Sequence, residues 1–197
     1  MSAEVLKETP LVPPSSLGPY RRRDYDELPE QPRCELLLGR LYVTPSPTPP
    51  HQTATGELWS RLRQIAKTSG GRAYIAPLDV VLADHTIVQP DVIYISAARL
   101  EIVGKRIEGA PDLLVEVLSP GTAQRDRVYK RDYYARSGIR EYWIVDVKAK
   151  QIEFLVNQGG RFAAASPEQD VYRSREVPEI QLDVADFWRS IEPELGS

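Results

Sequence analysis

Residues 113–118 constrain the fold of this 197-residue chain more than any other segment. The six residues are apolar except for Glu116, and a continuous apolar run of this length is typical of a β-strand that is covered on both faces. Two β-rich runs, 73–82 and 87–95, precede it in the chain. We expect the three runs to form neighbouring strands of one sheet.

Two other segments have the pattern of helices. Apolar residues recur at helical spacing through residues 51–68, and Gly70 follows as a stop signal. Residues 122–137 form the second predicted helix, with Thr122 as its N-cap and Gly138 just after its last turn. Helices combined with a buried sheet indicate an α/β protein.

The remaining strands are predicted in the first and last thirds of the chain. The apolar run 36–43 has Gly39 and Arg40 at its centre, and we expect a hairpin that turns at these two residues. A proline cluster follows this run and is typical of an irregular connector. Further strands are expected at 141–147 and 151–156, and a short one from Arg161.

The composition fits one domain. Hydrophobic residues make up 42% of the chain, which is enough for a single core. The chain has 17 prolines, more than the ~10 expected at about 5% usage, and several of them lie in the first 20 residues. We therefore predict a flexible Pro-rich arm at 1–20, one domain at 21–190 and a short tail at 191–197.

Charge and hydropathy exclude several classes of protein. The formal net charge of −3 argues against a protein that coats nucleic acid or membrane through bulk positive charge. No apolar run approaches the ~20 residues of a membrane span, and the first residues lack the pattern of a secretory signal. Because Cys34 is the single cysteine, no intrachain disulfide can form. We expect a cytoplasmic protein without membrane contact.

Positive charge is concentrated around the second predicted helix. Residues 121–140 hold six basic and two acidic residues. This excess predicts that a polyanion docks on that helix, although a solvated helix face without a partner would have the same pattern.

The most informative residue is Glu116. An isolated ionised carboxylate inside an apolar strand is costly, so it must be paired with a cation, be protonated or bind a metal. Asp91 enters the run 87–95 in the same way. If the two strands pair, the carboxylates lie on strands about 5 Å apart, and Mg²⁺ or Mn²⁺ between them would relieve their repulsion. A buried salt bridge to an arginine is the structural alternative for Glu116.

Asp112 lies ~13 Å from Glu116 along the strand, too far to share an ion, and is expected to be a strand-entry residue.

Lys130 completes the candidate site. Asp126, Lys130 and Tyr134 follow one another at four-residue spacing on the second predicted helix and share roughly one face. The strand that carries Glu116 leads into this helix through a short loop, so the ammonium group can fold back toward the carboxylates. Two acids, a metal and a lysine suit phosphodiester hydrolysis, because the metal polarises the phosphoryl group and the lysine offsets developing charge. A simple ion pair between Lys130 and Asp126 is the structural alternative.

Four segments of the chain together resemble one known family. They are similar to the motifs of the Uma2 family of endonucleases, a branch of the PD-(D/E)XK, restriction-endonuclease-like superfamily. The resemblance extends over residues 24–188. The segments that carry it are 89–95, 109–120, 125–134 and 138–146.

The resemblance implies a restriction-endonuclease-like fold, with a central mixed β-sheet flanked by helices. It also implies Mg²⁺, or Mn²⁺ in its place, held by Asp91, Glu116 and Val117, of which the valine has only main-chain atoms to offer. The usual superfamily motif places a lysine two residues after the second acid, where this chain has Leu118. Lys130 would then be a lysine supplied by the next helix.

Family members also carry a glutamate near the first hairpin and a histidine at the start of the following helix, matched here by Glu35 and His51. The resemblance implies that Glu35 is a further metal or water ligand and that His51 is a phosphate contact or a base, with Tyr134 as another candidate. A surface carboxylate and a polar residue at a helix start are the alternatives for Glu35 and His51.

Three functions are open at this point. The leading one is a Mg²⁺-dependent endonuclease that hydrolyses phosphodiester bonds, with DNA as its partner. The second is a non-catalytic nucleic-acid or protein interaction module that keeps the fold. The third, a small-molecule hydrolase using Ser119 and His51, is disfavoured because the chain lacks a Gly-x-Ser-x-Gly elbow. Double-strand cleavage requires two sites, which a homodimer would supply, but the sequence contains no direct sign of one.

Overall fold

The computed structural model describes residues 16–121 and 123–195, and the main chain of residues 5–6. Thr122, the predicted N-cap, and most of the predicted arm lie outside the described residues. The last residues of that arm contact the first hairpin, since the main-chain nitrogen of Gly18 donates a hydrogen bond to the oxygen of Leu38 at 2.8 Å. Within the described part of the chain, no helix has the length and apolar character needed to cross a membrane.

Helices and strands are interspersed along the chain. The helices are α1 (Arg22–Asp26), α2 (Pro49–Ser69), α3 (Arg131–Arg136), which directly continues a π-helical segment (Arg125–Lys130), and α4 (Val184–Ile191). The strands are β1 (Val5–Leu6), β2 (Cys34–Leu37), β3 (Arg40–Val43), β4 (Arg72–Ile75), β5 (Val80–Ala83), β6 (Thr86–Val88), β7 (Val92–Ile95), β8 (Ile107–Glu108), β9 (Leu113–Val117), β10 (Glu141–Asp146), β11 (Gln151–Asn157), β12 (Phe162–Ala165), β13 (Val171–Arg173) and β14 (Gln181–Asp183).

Most strands belong to two mixed sheets. Sheet A has the order β1-β3-β2-β6-β5-β8, and sheet B has the order β12-β11-β10-β9-β7-β4. In sheet B, β9 and β10 are parallel and the other neighbours are antiparallel. Strands β13 and β14 form a separate antiparallel pair. The predicted α/β architecture with mixed sheets and flanking helices is confirmed.

The prediction that the runs 73–82 and 87–95 are single strands of one sheet was wrong. The first run divides into β4 of sheet B and β5 of sheet A, and the second into β6 of sheet A and β7 of sheet B. Pro77 and Pro90 lie at the two breaks, because proline has no N–H to donate to a strand ladder.

The first hairpin turns one residue earlier than predicted. Leu37 pairs with Arg40, so Leu38 and Gly39 occupy the turn instead of Gly39 and Arg40. Both turn residues have a positive φ, 53° and 73°, which a two-residue hairpin loop requires. Gly39 also packs directly on the main chain of Gly18, where a side chain would collide.

Both predicted helices are present. Helix α2 begins two residues earlier than predicted because Pro49 and Pro50 fill its first turn, where a missing N–H costs nothing. It ends at Gly70 in the left-handed conformation. Gly138 follows α3 with a φ of 86°, as predicted. The strands predicted at 141–147 and 151–156, and the short one from Arg161, correspond to β10, β11 and β12.

Sheet B is covered on both faces. Helices α2 and α4 cover one face, on which Leu58, Leu62 and Phe187 are buried. The other face packs against sheet A and α3 and buries a second apolar cluster that includes Leu114 and Tyr134. Since side chains alternate along a strand, Glu116 points to the same face as Leu114, into the space between the two sheets.

Candidate functional site

Strands β7 and β9 bring Asp91 and Glu116 to one place. The two strands are antiparallel neighbours, and Val92 pairs with Val115, which confirms the predicted pairing. Asp91 and Glu116 are the next residues outward from that pair, so both point away from the face of Val92 and Val115. Asp91 Oδ2 also accepts a hydrogen bond from the main-chain nitrogen of Val117 at 2.7 Å.

The two carboxylates line a cavity of about 80 Å³, which we call the site cavity. All of the predicted candidate residues line it or contact one that does. Tyr134 lies behind Glu116 and donates a hydrogen bond from its hydroxyl to Glu116 Oε1 at 3.1 Å. The other candidates line the cavity itself: Glu35, His51, Asp91, Glu116, Val117 and Lys130.

A π-helical turn points several charged residues into the protein. Of the six residues of the segment Arg125–Lys130, four are buried: Arg125, Asp126, Tyr129 and Lys130. A π turn is a widened turn that occurs frequently at functional sites. The helix face predicted from the spacing of Asp126, Lys130 and Tyr134 is indeed buried, at 1%, 2% and 0% exposure.

Lys130 is the centre of the site. Its Nζ donates hydrogen bonds to Glu116 Oε1 at 2.8 Å and to Glu35 Oε1 at 2.9 Å, and lies 3.4 Å from Asp126 Oδ1. Burial alone would lower the pKa of Lys130, but the attraction of the three carboxylates raises it. The side chain is therefore an ammonium ion at any physiological pH and cannot act as a base. Its pair with Asp126, the structural alternative, has the longest of the three distances.

Burial changes the pKa of Glu116 more than the contact with Lys130 does. Loss of hydration raises the pKa of Glu116 well above its ordinary value, and repulsion from Asp126, Asp91 and Glu35 adds to this effect against the attraction of Lys130. Additional positive charge beside Glu116 would therefore be strongly stabilising.

Glu35 is equally buried but has the opposite shift. Burial opposes its ionisation, but Lys130 and Arg125 attract the carboxylate strongly enough to lower its pKa. Glu35 Oε1 also accepts a hydrogen bond from the main-chain nitrogen of Gln89 at 2.8 Å, and Arg125 Nη2 lies 3.4 Å from Oε2. Glu35 is thus a fixed anion that holds Lys130 and Arg125 in place, and it is not the surface carboxylate considered from the sequence.

His51 lies beside two of the predicted metal ligands. Its Nε2 is 3.3 Å from Asp91 Oδ2. Burial lowers the pKa of His51, but contacts with Asp91 and with the main chain of Val117 outweigh that effect and raise it. Ser119, considered from the sequence together with His51, lines the same cavity.

The basic residues of the second helix do not form the open docking face that was predicted. Arg125 and Lys130 point into the protein, and the guanidinium of Arg125 lies over the ring of Tyr42 at 5.4 Å. Most of the others form ion pairs with acids: Arg127 with Asp146 and Glu153, Arg136 with Asp132, and Arg140 with the buried Asp112.

Sequence reasoning did not assign Arg125 and Asp126 to the site. The sequence did contain a signal for Asp126, because it precedes Lys130 by one helical turn and so shares its face. A cluster of charges in a helix, however, more often indicates a solvated face. Asp112 was correctly predicted to lie elsewhere. It precedes β9, and its Oδ2 accepts a hydrogen bond from the main-chain nitrogen of Ser96 at 2.7 Å.

Comparison with known proteins places the chain in a family. The family model described as "Uma2: Putative restriction endonuclease" matches residues 22–191. The crystal structure of a protein described as a "putative nuclease belonging to DUF820", from Anabaena variabilis, is similar with a TM-score of 0.74 and 21% identity, covering 87% of this chain and 98% of that chain. This likeness confirms the predicted restriction-endonuclease-like fold. A comparison with curated proteins found no match. Because the family model spans most of its length, the chain belongs to the Uma2 family.

Proposed function

We propose that the protein is a divalent-metal-dependent endonuclease that hydrolyses phosphodiester bonds in DNA. The observation that carries this proposal is the meeting of Asp91 and Glu116 at one cavity, with the Lys130 ammonium group 2.8 Å from Glu116 Oε1. Membership of a family described as a restriction endonuclease supports the same class of reaction.

The charges around the site cavity suit a divalent cation. Four carboxylates line it (Glu35, Asp91, Glu116 and Asp126), against the cations Arg33, Arg125 and Lys130. Before His51 is counted, four negative and three positive charges leave a formal excess of one negative charge. Among the residues that the structure describes, no three His, Cys, Asp or Glu side chains form a ready-made metal cluster. This arrangement fits Mg²⁺, which commonly binds one or two carboxylates and keeps several waters.

The residues that would hold the cation are Asp91, Glu116 and the main-chain oxygen of Val117. When bound, the cation would supply Lewis-acid polarisation of the phosphoryl group and a water of lowered pKa. The ionised carboxylate of Glu116 is the ligand that a cation would stabilise most, because the added positive charge would offset the repulsion that raises its pKa.

The other side chains orient these ligands. Lys130 holds the Glu116 carboxylate through its hydrogen bond and offsets negative charge that develops on the phosphate. Glu35 accepts a hydrogen bond from Lys130 and fixes its position, so we assign it a positioning role. His51 contacts Asp91 from the start of α2 and faces the cavity, where an imidazolium can contact a phosphate oxygen.

The second candidate function is a nucleic-acid or protein interaction module without turnover. The observation that favours it is the full engagement of Lys130, which already donates hydrogen bonds to two carboxylates. Leu118 also favours this function, because it stands at the position where the superfamily motif usually has a lysine.

A nicking assay distinguishes the two candidates. Supercoiled plasmid, linear duplex and single-stranded DNA are incubated with Mg²⁺ or Mn²⁺ and either the wild type, Glu116→Gln or Glu141→Gln. Glu141 is a matched control, because it is a buried carboxylate on the adjacent strand β10 that does not line the site cavity. We expect Glu116→Gln to lower the cleavage rate by on the order of 10²- to 10³-fold and Glu141→Gln to cleave at nearly the wild-type rate.

Two outcomes contradict the proposal. Equal cleavage by all three proteins would indicate a contaminating nuclease. No cleavage of any DNA by the wild type, together with DNA binding that requires no metal, would favour the interaction module.

A further inference from the structure

A second cavity adjoins the site cavity. It has a volume of about 350 Å³, and we call it the side cavity. Arg33 and Gln89 line both cavities, so the two spaces meet at these side chains. The rest of its wall includes Tyr25, Pro29, Pro77, Asp79 and Arg106.

The sizes of the two cavities suggest different contents. The site cavity, at about 80 Å³, has room for a few water molecules at roughly 10–15 Å³ each, or for a phosphate group that displaces them. The side cavity, at about 350 Å³, lies within the roughly 300–1,000 Å³ typical of pockets for small organic ligands. A phosphate in the first can therefore be joined to a larger group in the second.

The side cavity has a rigid, flat wall. Arg106 Nε lies 3.0 Å from Asp79 Oδ2, and Arg106 Nη1 lies 2.5 Å from Asp26 Oδ1. The guanidinium also lies over the ring of Tyr25 at 5.8 Å. Two ion pairs and an aromatic ring thus fix the plane of the guanidinium at the wall. Unstacked nucleic-acid bases stack on planar surfaces of this kind.

The side cavity also borders a polar group that lacks a partner. Gln89 Nε2 donates hydrogen bonds to Asp79 Oδ1 at 2.9 Å and to the Tyr25 hydroxyl at 3.3 Å, which fixes the orientation of the amide. Gln89 Oε1 is then a buried acceptor with no hydrogen bond to any described residue. Buried polar atoms are nearly always paired in proteins, so this oxygen suggests that a donor such as a base amino group is missing.

Arg33 lies where the two cavities meet. It forms no ion pair with another residue in the described part of the chain, whereas Arg106 and Arg125 beside it are both paired with acids. A guanidinium without an acid partner is well suited to a phosphate oxygen.

We infer that the side cavity binds the base of a nucleotide that is attached to the scissile phosphate. Arg33, which lines both cavities, contacts that phosphate. This inference rests on the proposed phosphodiester hydrolysis at the site cavity. A base can enter such a pocket only when it is out of the duplex stack. The preferred substrate is therefore a single strand or an unpaired stretch of DNA.

Substrates with and without bases test the inference. We compare kcat/KM for a single-stranded oligonucleotide, its duplex and an abasic deoxyribose-phosphate strand of the same length. The variants are Arg33→Ala and Arg106→Ala, with Arg161→Ala as the matched control, because Arg161 is exposed and lines neither cavity. We expect Arg106→Ala to lose roughly 10- to 100-fold on the oligonucleotide and to cleave the abasic strand at the wild-type rate, whereas Arg33→Ala, which alters a residue that lines the site cavity, should lose activity on both substrates.

Binding without turnover separates the failure of this inference from failure of the proposed function. Titration calorimetry without metal compares 2′-deoxyadenosine 5′-monophosphate, deoxyribose 5-phosphate and inorganic phosphate. Stronger binding of the nucleotide, lost in Arg106→Ala and kept in Arg161→Ala, supports a base pocket even if no diester is hydrolysed. Equal binding of all three probes, or equal losses of Arg106→Ala on the oligonucleotide and on the abasic strand, would overturn it.

Discussion

Glu116 and Glu141 are buried carboxylates on adjacent strands, and their surroundings differ. Glu141 accepts hydrogen bonds from Trp143 Nε1 at 3.2 Å, from the Tyr172 hydroxyl at 2.9 Å and from the Ser174 hydroxyl. All three donors are neutral. Glu141 is thus held by neutral donors, and no basic side chain of the described residues forms an ion pair with it.

Glu116 has the reverse arrangement. It contacts the Lys130 ammonium, and three other carboxylates are close enough to raise its pKa further. It also borders the site cavity, whereas Glu141 lines neither the site cavity nor the side cavity. The comparison teaches that burial of a carboxylate is by itself a weak sign of function. Crowding with like charges beside an opening is the more specific sign, because only such a group gains from a bound cation.

The largest effect on folding is expected from Lys130→Met. The substitution leaves Glu35, Glu116 and Asp126 without their shared cation, and breaking a buried ion pair in this way costs about 3–5 kcal/mol. Urea unfolding measures the change. Lys67→Met, at an exposed position near the end of α2, is the control and should stay within about 0.5 kcal/mol of the wild type.

Adding Glu35→Gln to Lys130→Met sharpens this test. It removes one of the uncompensated charges, so the double variant should be more stable than Lys130→Met alone. If Lys130→Met unfolds at the same urea concentration as Lys67→Met, the cluster is not held together by its charges and the contrast with Glu141 is lost.

A bound cation should give the next largest effect. At a concentration 100 times the dissociation constant, Mg²⁺ or Mn²⁺ would stabilise the fold by about 2.7 kcal/mol, which corresponds to a rise in melting temperature of roughly 5–11 °C. Asp91→Ala should abolish the rise, whereas Glu141→Gln should keep it. A rise of the same size in Asp91→Ala would mean that the cation binds elsewhere.

The sequence predicted the elements of the fold better than their assembly. Alternating and continuous apolar runs identified the strands from β2 to β12 approximately, except for the two-residue strand β8, since periodicity reports which side chains are buried. It does not report which sheet a strand joins. The runs 73–82 and 87–95 were therefore assigned to one sheet, although Pro77 and Pro90 divide each of them between two.

The site was predicted from residues that are anomalous in their local pattern. Glu116 and Asp91 interrupt apolar runs, and the spacing of Lys130 relative to Asp126 indicated a shared face. The charge pattern predicts a surface position for Arg125, because the π turn that buries it has no simple sequence signature. Glu141 was not among the predicted site residues, although it also starts an apolar strand. Its neutral donors Tyr172 and Ser174 come from a distant part of the chain.

Glu141→Gln should destabilise the protein without affecting cleavage. The amide that replaces the carboxylate must place its NH₂ group toward donors, among them the Ser174 hydroxyl and the main-chain nitrogen of Glu176 at 3.5 Å. Donors that face each other in a buried site leave hydrogen bonds unmade, at about 1–3 kcal/mol. Thermal or urea unfolding measures the loss. Unchanged stability would mean that the carboxylate charge is not what those donors stabilise.

The same substitution at Glu116 should have the smallest effect on stability. In the wild type, Lys130 and Tyr134 both donate hydrogen bonds to Glu116 Oε1. The amide oxygen of the variant can still accept both. The amide also removes a charge that burial and neighbouring acids disfavour, so the two changes oppose each other. We expect Glu116→Gln to unfold within about 1 kcal/mol of the wild type while its cleavage rate falls steeply. A loss of stability as large as that of Glu141→Gln would make Glu116 a structural carboxylate as well, and its crowding by like charges would no longer distinguish a functional site.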